Sequence, residues 1–203
     1  MNKEIPLLRP QDIDVRVQSI SDRGGYSCLL YKNARVDMKI LDEVYGPLNW
    51  QRKHGVINNN LYCTVQIWDE NKQTWISKED VGIPSFAQGE KGEASDSFKR
   101  ACVNVGIGRE LYTAPFIWIK ALEGEIKANG NKKSVYTKLH VTKIEYDDDR
   151  NICLLEIGDE NGNHRYGFYN KQANANAPKQ AQPTSKQTKK ERPEMTELVA
   201  FIN

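Results

Sequence analysis

Between Trp50 and Gly106 the apolar residues change their spacing once, from two to about 3.6, and that change limits the folds open to the chain. Leu61, Cys63, Val65 and Ile67 fall on one side of an extended segment, and Tyr62, Thr64, Gln66 and Trp68 on the other. With flanking runs at 50–57 and 74–81, this predicts an antiparallel three-strand meander. Beyond it, Ala94, Phe98, Ala101, Cys102 and Val105 stand at relative positions 0, 4, 7, 8 and 11, a narrow helical stripe. Gly106 is placed to end that helix in a left-handed cap. Ser85, with Gln88 three residues on, offers a capping box at its start, while Gly89 and Gly92 weaken its first turns. The expected class is therefore α+β, an antiparallel meander with a long helix packed across it.

The remaining elements extend this plan. Residues 1–12, with Pro6 and Pro10, read as an irregular arm. Strands are expected at 15–20 and 26–31, joined through Asp22-Arg23-Gly24-Gly25. Asn33 can cap a helix carrying Val36, Ile40, Leu41 and Val44, which Gly46-Pro47 stops. Further hairpins are expected from strands at 136–146, 152–157 and 164–169, with acidic and Asn-rich turns between them. After Tyr169 the composition turns to Gln, Asn, Ala, Pro, Lys and Thr, which predicts a disordered linker over 170–194. Residues 195–203 close the chain as a docking peptide, with Leu198, Phe201 and Ile202 on one helical face; the other reading has them pack back on the body, residues 1–169.

No apolar run reaches the roughly 20 residues of a membrane span, and Met1 to Pro6 lack the apolar segment of a signal peptide. Cys28, Cys63, Cys102 and Cys153 are widely spaced within apolar patterns, which reads as buried reduced thiols in a cytoplasmic protein. The chain carries 29 basic and 27 acidic residues, but residues 1–169 hold 23 and 24 of them. A body this close to neutral can bind a polyanion only if its cations are gathered into a groove.

Lys99 and Arg100 flank the helical stripe and can share a surface while the stripe docks. Lys91 lies two turns earlier and can extend their track. Arg52, Lys53, Lys78 and Arg109 are further cations, which at strand edges commonly serve only solubility. Tyr62, Trp68 and Trp75 can stack on bases or pack in a core or a subunit contact. Glu79, Asp80, Glu90, Glu93 and Asp96 raise the alternative of a metal-dependent nuclease, yet their spacings do not converge. His54, His140 and His164 have no ligand spacing, and no Gly-rich triphosphate loop occurs, so no cofactor is expected.

Several of these residues together carry a resemblance. Arg35 before an apolar helix, Tyr45-Gly46 and Trp50 after it, Glu79-Asp80-Val81-Gly82, and Asp96-x-Phe98-Lys99-Arg100-Ala101 follow one another in the order and spacing of the Rad-fifty-two family. These are single-strand annealing proteins with phage and prophage relatives, and the resemblance spans about residues 13–110. The chain departs from the eukaryotic pattern at Val103, where a further basic residue would lie, and in a shorter stretch between Gly82 and Glu90. The resemblance implies ATP-independent binding and annealing of single-stranded DNA, a homo-oligomeric ring or filament, and DNA contacts at Arg35, Lys99 and Arg100 in a groove between meander and helix. It makes a single-strand binding protein or a partner exonuclease the expected contact of the tail. The rival reading is a DNA-binding accessory scaffold without annealing activity.

Overall fold

The computed structural model describes residues 4–83, 89–130 and 132–170, the side chains of 89–91 excepted. The capping box at Ser85 and Gln88 and the linker and tail beyond Asn170 lie outside the described residues. Elements run in the order β1 (Asp14–Ser21), β2 (Gly25–Tyr31), α1 (Ala34–Tyr45), β3 (Trp50–Ile57), β4 (Asn60–Asp69), β5 (Thr74–Val81) and α2 (Gly89–Val105). A 3-10 turn at Arg109–Thr113 leads to β6 (Ile117–Lys120), β7 (Ile126–Asn129), β8 (Lys132–Val135), β9 (Leu139–Tyr146), β10 (Ile152–Asp159) and β11 (His164–Tyr169). The class is α+β with mostly antiparallel strands.

The meander forms as its alternation requires. β3 and β4 pair from Trp50–Ile67 to Ile57–Asn60. Their turn places Asn58 and Asn59 at φ of 51° and 59°, the left-handed pair that a two-residue hairpin needs and that Asn tolerates. β5 joins the other edge of β4. Val65 and Cys63 are fully buried under α2, whose Phe98, Ala101 and Cys102 are equally buried. Gly82 is required where β5 meets α2: a Cβ there would stand 2.4 Å from the Glu93 carbonyl oxygen.

Six other strands build a second sheet in the order β11-β10-β9-β1-β2-β6, and β7 and β8 pair as a separate two-stranded sheet. β1 and β9 share a single residue pair, Asp14 with His140, so the sheet is pinched there. Its edge strands curl toward each other: the Tyr166 hydroxyl donates to the Phe116 carbonyl at 3.2 Å, and Arg165 donates to the Lys120 carbonyl at 3.4 Å. α1 is capped by Asn33, which accepts the Arg35 amide at 3.0 Å, and it buries Asp37, Ile40, Leu41 and Val44. One core, from Leu8 to Ile157, joins both sheets and both helices.

The arm is irregular apart from a 3-10 turn at Pro10–Asp12, and it is tied to the body. Leu8 is buried and its amide donates to Glu110 at 2.8 Å, while Arg150 donates to the Ile5 carbonyl at 2.6 Å. The strand expected over 136–146 begins only at Leu139. Three four-residue strands, β6, β7 and β8, stand where none was expected, each too short for its alternation to register. All four cysteines are buried and free, and burial pushes the Cys28 and Cys63 thiols up to about 11. No helix among the described residues is long and apolar enough to cross a membrane.

Candidate nucleic-acid interface

Phe98, Ala101 and Cys102 of α2 pack closely on the meander, and among the described residues a 550 Å³ hollow remains where Ile67, Ile76 and Lys78 of the meander meet Val105 of α2. Lys99 and Arg100 lie at the edge of the docked stripe, with Arg100 reaching back to Asp80 of β5. There they face the end of β2 and the 3-10 turn at Arg109–Thr113 across a groove of 290 Å³. Lys99 and Arg100 form its cationic wall, with Lys32 at the base. Leu29, Leu30, Val103, Leu111 and Tyr112 make an apolar floor.

The base of the groove is a buried ion pair. Lys32 and Asp37 expose 5% and 0% of their side chains, and the Lys32 ammonium donates to Asp37 Oδ1 and, at 3.3 Å, to the Lys99 carbonyl. Asp37 Oδ2 is buried without a strong donor, the Cys102 thiol being the carboxylate's other polar neighbour. Burial pushes the Asp37 carboxyl up to about 6 against the opposing pull of Lys32. Space for Lys32 comes from Gly108, at φ 75°, where a Cβ would stand 2.5 Å from Lys32 Cε.

The wall cations are only loosely held. Lys99 lies 3.8 Å from Asp96, and Arg100 lies 3.3 Å from Asp80, an acid that also accepts from Asn104. Partly exposed pairs at such distances contribute roughly 0–1 kcal/mol, so a phosphate oxygen can displace the carboxylates. One more arginine flanks the groove, and a second stands on a neighbouring helix. The Arg16 guanidinium lies 5.0 Å from the Tyr31 ring centroid, and Tyr31 is a groove residue. Arg35 is exposed on the first turn of α1, just beyond Tyr31 and Lys32. The other reading of Arg35 is a pairing with Asp12, Asp14 or another local acid; of these, Asp12 pairs with Arg9 and Asp14 with Arg16.

The remaining expected cations go elsewhere. Arg52 lies over the Phe98 ring at 4.6 Å, on the helix side of the meander. Lys53 pairs in register with Thr64, on the face turned away from α2. Lys78 borders the 550 Å³ hollow, between the end of α1 and the β4–β5 turn. Arg109 donates to the Val103 and Asn104 carbonyls at 2.8 and 3.0 Å and so caps α2. Lys91 belongs to the first turns of α2, and its side chain lies outside the described residues. Trp68 and Trp75 pack edge to face at 5.5 Å on the side of the meander away from α2, so they are not core residues.

No family model matches the chain, and comparison with curated proteins finds no match either. The case for the site therefore rests on its geometry. Four acids of the nuclease alternative serve separate tasks, and the side chain of the fifth, Glu90, lies outside the described residues. Glu93 accepts the Leu61 amide, Asp96 the Ile83 amide, Asp80 the Arg100 guanidinium, and Glu79 the Thr64 hydroxyl. Among the described residues no three His, Cys, Asp or Glu side chains gather as a metal site. Sequence reasoning missed Lys32 and Arg16. Lys32 could have been found through Asp37, a carboxylate set three and four residues before Ile40 and Leu41 on the buried stripe of α1, where a buried cation must answer it.

Proposed function

We propose that this protein binds single-stranded DNA by its phosphate backbone and anneals complementary strands, without ATP or metal, in homologous recombination or repair. The observation that carries the reading is the convergence of Lys99, Arg100 and Lys32 in one groove, with Arg16 at its side. Cations held by weak pairs can exchange carboxylate for phosphate partners, and base edges left free remain available for pairing. The body carries 23 basic and 24 acidic residues, so one groove binds weakly and many in register bind strongly. A homo-oligomeric ring or filament in the cytoplasm follows as part of the proposal. Phe116, Trp118 and Leu122 supply exposed apolar surface for subunit contacts.

One observation favours the accessory-scaffold reading. Arg100 and Asp80, both within the residues that carry the family resemblance, bind each other, and that pair latches β5 to α2 without any DNA. Mixing complementary fluorescent oligonucleotides with the purified protein in excess EDTA and without nucleotide separates the readings. Accelerated duplex formation is expected. Single-strand binding without acceleration selects the scaffold, and activity lost on chelation returns the acids to the centre.

A further inference from the structure

The groove has a floor that nucleic acid phosphates do not use. Leu29, Val103, Leu111 and Tyr112 present apolar surface between β2 and α2, and Tyr112 is 74% exposed. Phosphates engage the cationic wall alone, whereas apolar side chains seated on such a floor gain about 25 cal/mol per Å² buried. A floor of this kind beside Lys99 and Arg100 fits an amphipathic peptide that carries acids next to an apolar face.

The chain itself contains such a peptide. In Glu194-Met195-Thr196-Glu197-Leu198-Val199-Ala200-Phe201-Ile202, the residues Leu198, Phe201 and Ile202 share one helical face. Glu194 and Glu197 precede Leu198 and Phe201 by four residues each, which sets both acids one turn before the apolar residues on the same side. Residues 171–193 separate this segment from Asn170. As a coil they span about 25 Å, and fully extended about 75 Å, enough to return to the groove of their own body.

We propose that residues 194–202 dock in this groove, with Leu198, Phe201 and Ile202 on its apolar floor and Glu194 and Glu197 against Lys99 and Arg100. The occupant is a segment of the same chain, held at an effective concentration of the order of millimolar. With the groove taken as the DNA site under the proposed function, the docked segment competes with DNA and is released when a strand binds.

The test uses the full chain carrying Leu198→Ser, Phe201→Ser and Ile202→Ser, which empties the groove. A fluorescein-labelled peptide of residues 190–203 is titrated against it by anisotropy, without DNA. Saturable binding is expected, weakened at least tenfold by adding Tyr112→Ser or Lys99→Gln, both at solvent-accessible positions. No binding, or binding indifferent to those two substitutions, overturns the proposal. The triple serine variant should also bind a single-stranded oligonucleotide about tenfold more tightly than the parent, as release of a millimolar competitor requires. If neither protein binds DNA while the peptide still docks through Tyr112 and Lys99, the docking stands and the DNA reading of the groove fails. If both bind DNA equally, the segment does not occupy the groove and the proposal falls.

Discussion

Arg165 and Lys32 are almost equally closed to solvent, at 4% and 5% of their side-chain area, but their surroundings differ. Arg165 meets Glu125 with two bonds of 2.9 and 2.7 Å, and reaches Asp159 at 3.4 Å and the Tyr26 hydroxyl at 3.2 Å. Tyr26 in turn donates to Glu125 at 2.9 Å, and Asp159 accepts the Asn161 and Asn163 amides at 3.0 Å each. Every carboxylate in the cluster is answered by donors, and the cluster locks β11 to β2 and to the 121–125 loop. Lys32 has one carboxylate oxygen, one carbonyl, and beside them a carboxylate oxygen whose remaining neighbour is the weak donor Cys102. A closed, satisfied cluster holds a fold together. A pair left partly unsatisfied beneath loosely held cations contributes less to the fold, and the cations above it remain free to exchange partners.

The sharpest break of this contrast is Arg165→Met. It strands Glu125 and Asp159 as uncompensated carboxylates, both at or below 5% exposure, and should cost about 3–5 kcal/mol of unfolding free energy. Urea denaturation measures it. A loss below about 1 kcal/mol would mean that the cluster is not what joins the edges of the curled sheet. Next in size is the joint replacement Lys99→Gln and Arg100→Gln, expected to lower single-strand affinity by about 100-fold at low salt, near 2.7 kcal/mol. Stability should change by no more than about 1 kcal/mol, because both ion pairs are partly exposed. The slope of log affinity against log salt should flatten by roughly 0.7 for each phosphate that the variant no longer neutralises. Unchanged affinity would leave the groove cations as a solvated face.

The two clusters also have opposite pH signatures. Burial raises the Asp37 carboxyl from 3.8 to about 6, so below pH 3.8 the folded and unfolded states are equally protonated there. Between these values the folded state holds more protons, and stability falls as pH rises through the window, by roughly 1–3 kcal/mol. For Glu125, burial pushes the carboxyl upward, but bonds from Arg165, the Leu122 amide and Tyr26 prevail and hold it at about 2, from an ordinary 4.5. Its contribution is complete above pH 4.5 and is lost as pH falls toward 2. Unfolding free energies of the parent and of Asp37→Asn, measured from pH 3 to 8, should therefore differ by an amount that declines from pH 4 to 6 and is flat above. A flat difference throughout would show that Asp37 keeps an ordinary carboxylate in the fold.

Legibility follows element length and the reach of each contact. The meander, α1 and α2 each carry seven or more residues of consistent period, and their faces could be assigned residue by residue. β7 and β8 have four residues each and almost no apolar pattern, and only their pairing with each other makes them strands. The surroundings of Lys99 and Arg100 were hidden for a different reason. The stripe on α2 shows which side docks, but not what stands opposite the free side. That is supplied by Tyr31, Lys32 and Tyr112, whose part in the groove depends on the glycine pair Gly106 and Gly108 turning the chain back at φ of 121° and 75°. Arg52 and Arg109 show the same limit. Their charge is visible in sequence, while the Phe98 ring and the open carbonyls that claim them are not.

The smallest expected effect sets the edge of the interface. Arg16 is 63% exposed, and its 3.9 Å approach to Asp14 adds little to stability. Its guanidinium rests near the Tyr31 ring, where it can add one charge to the groove at small conformational cost. Arg16→Gln should weaken single-strand binding about two- to threefold, or about 0.5 kcal/mol, and leave the denaturation midpoint unmoved. Lys53→Gln removes the same charge from the face of the meander turned away from α2, so it provides the matched control. If binding depended only on total charge, the two variants would lose affinity equally. A loss confined to Arg16→Gln, measured at one salt concentration, bounds the interface at β1. Equal losses would extend it around the meander and revive Lys53, Trp68 and Trp75 as contacts for the strand.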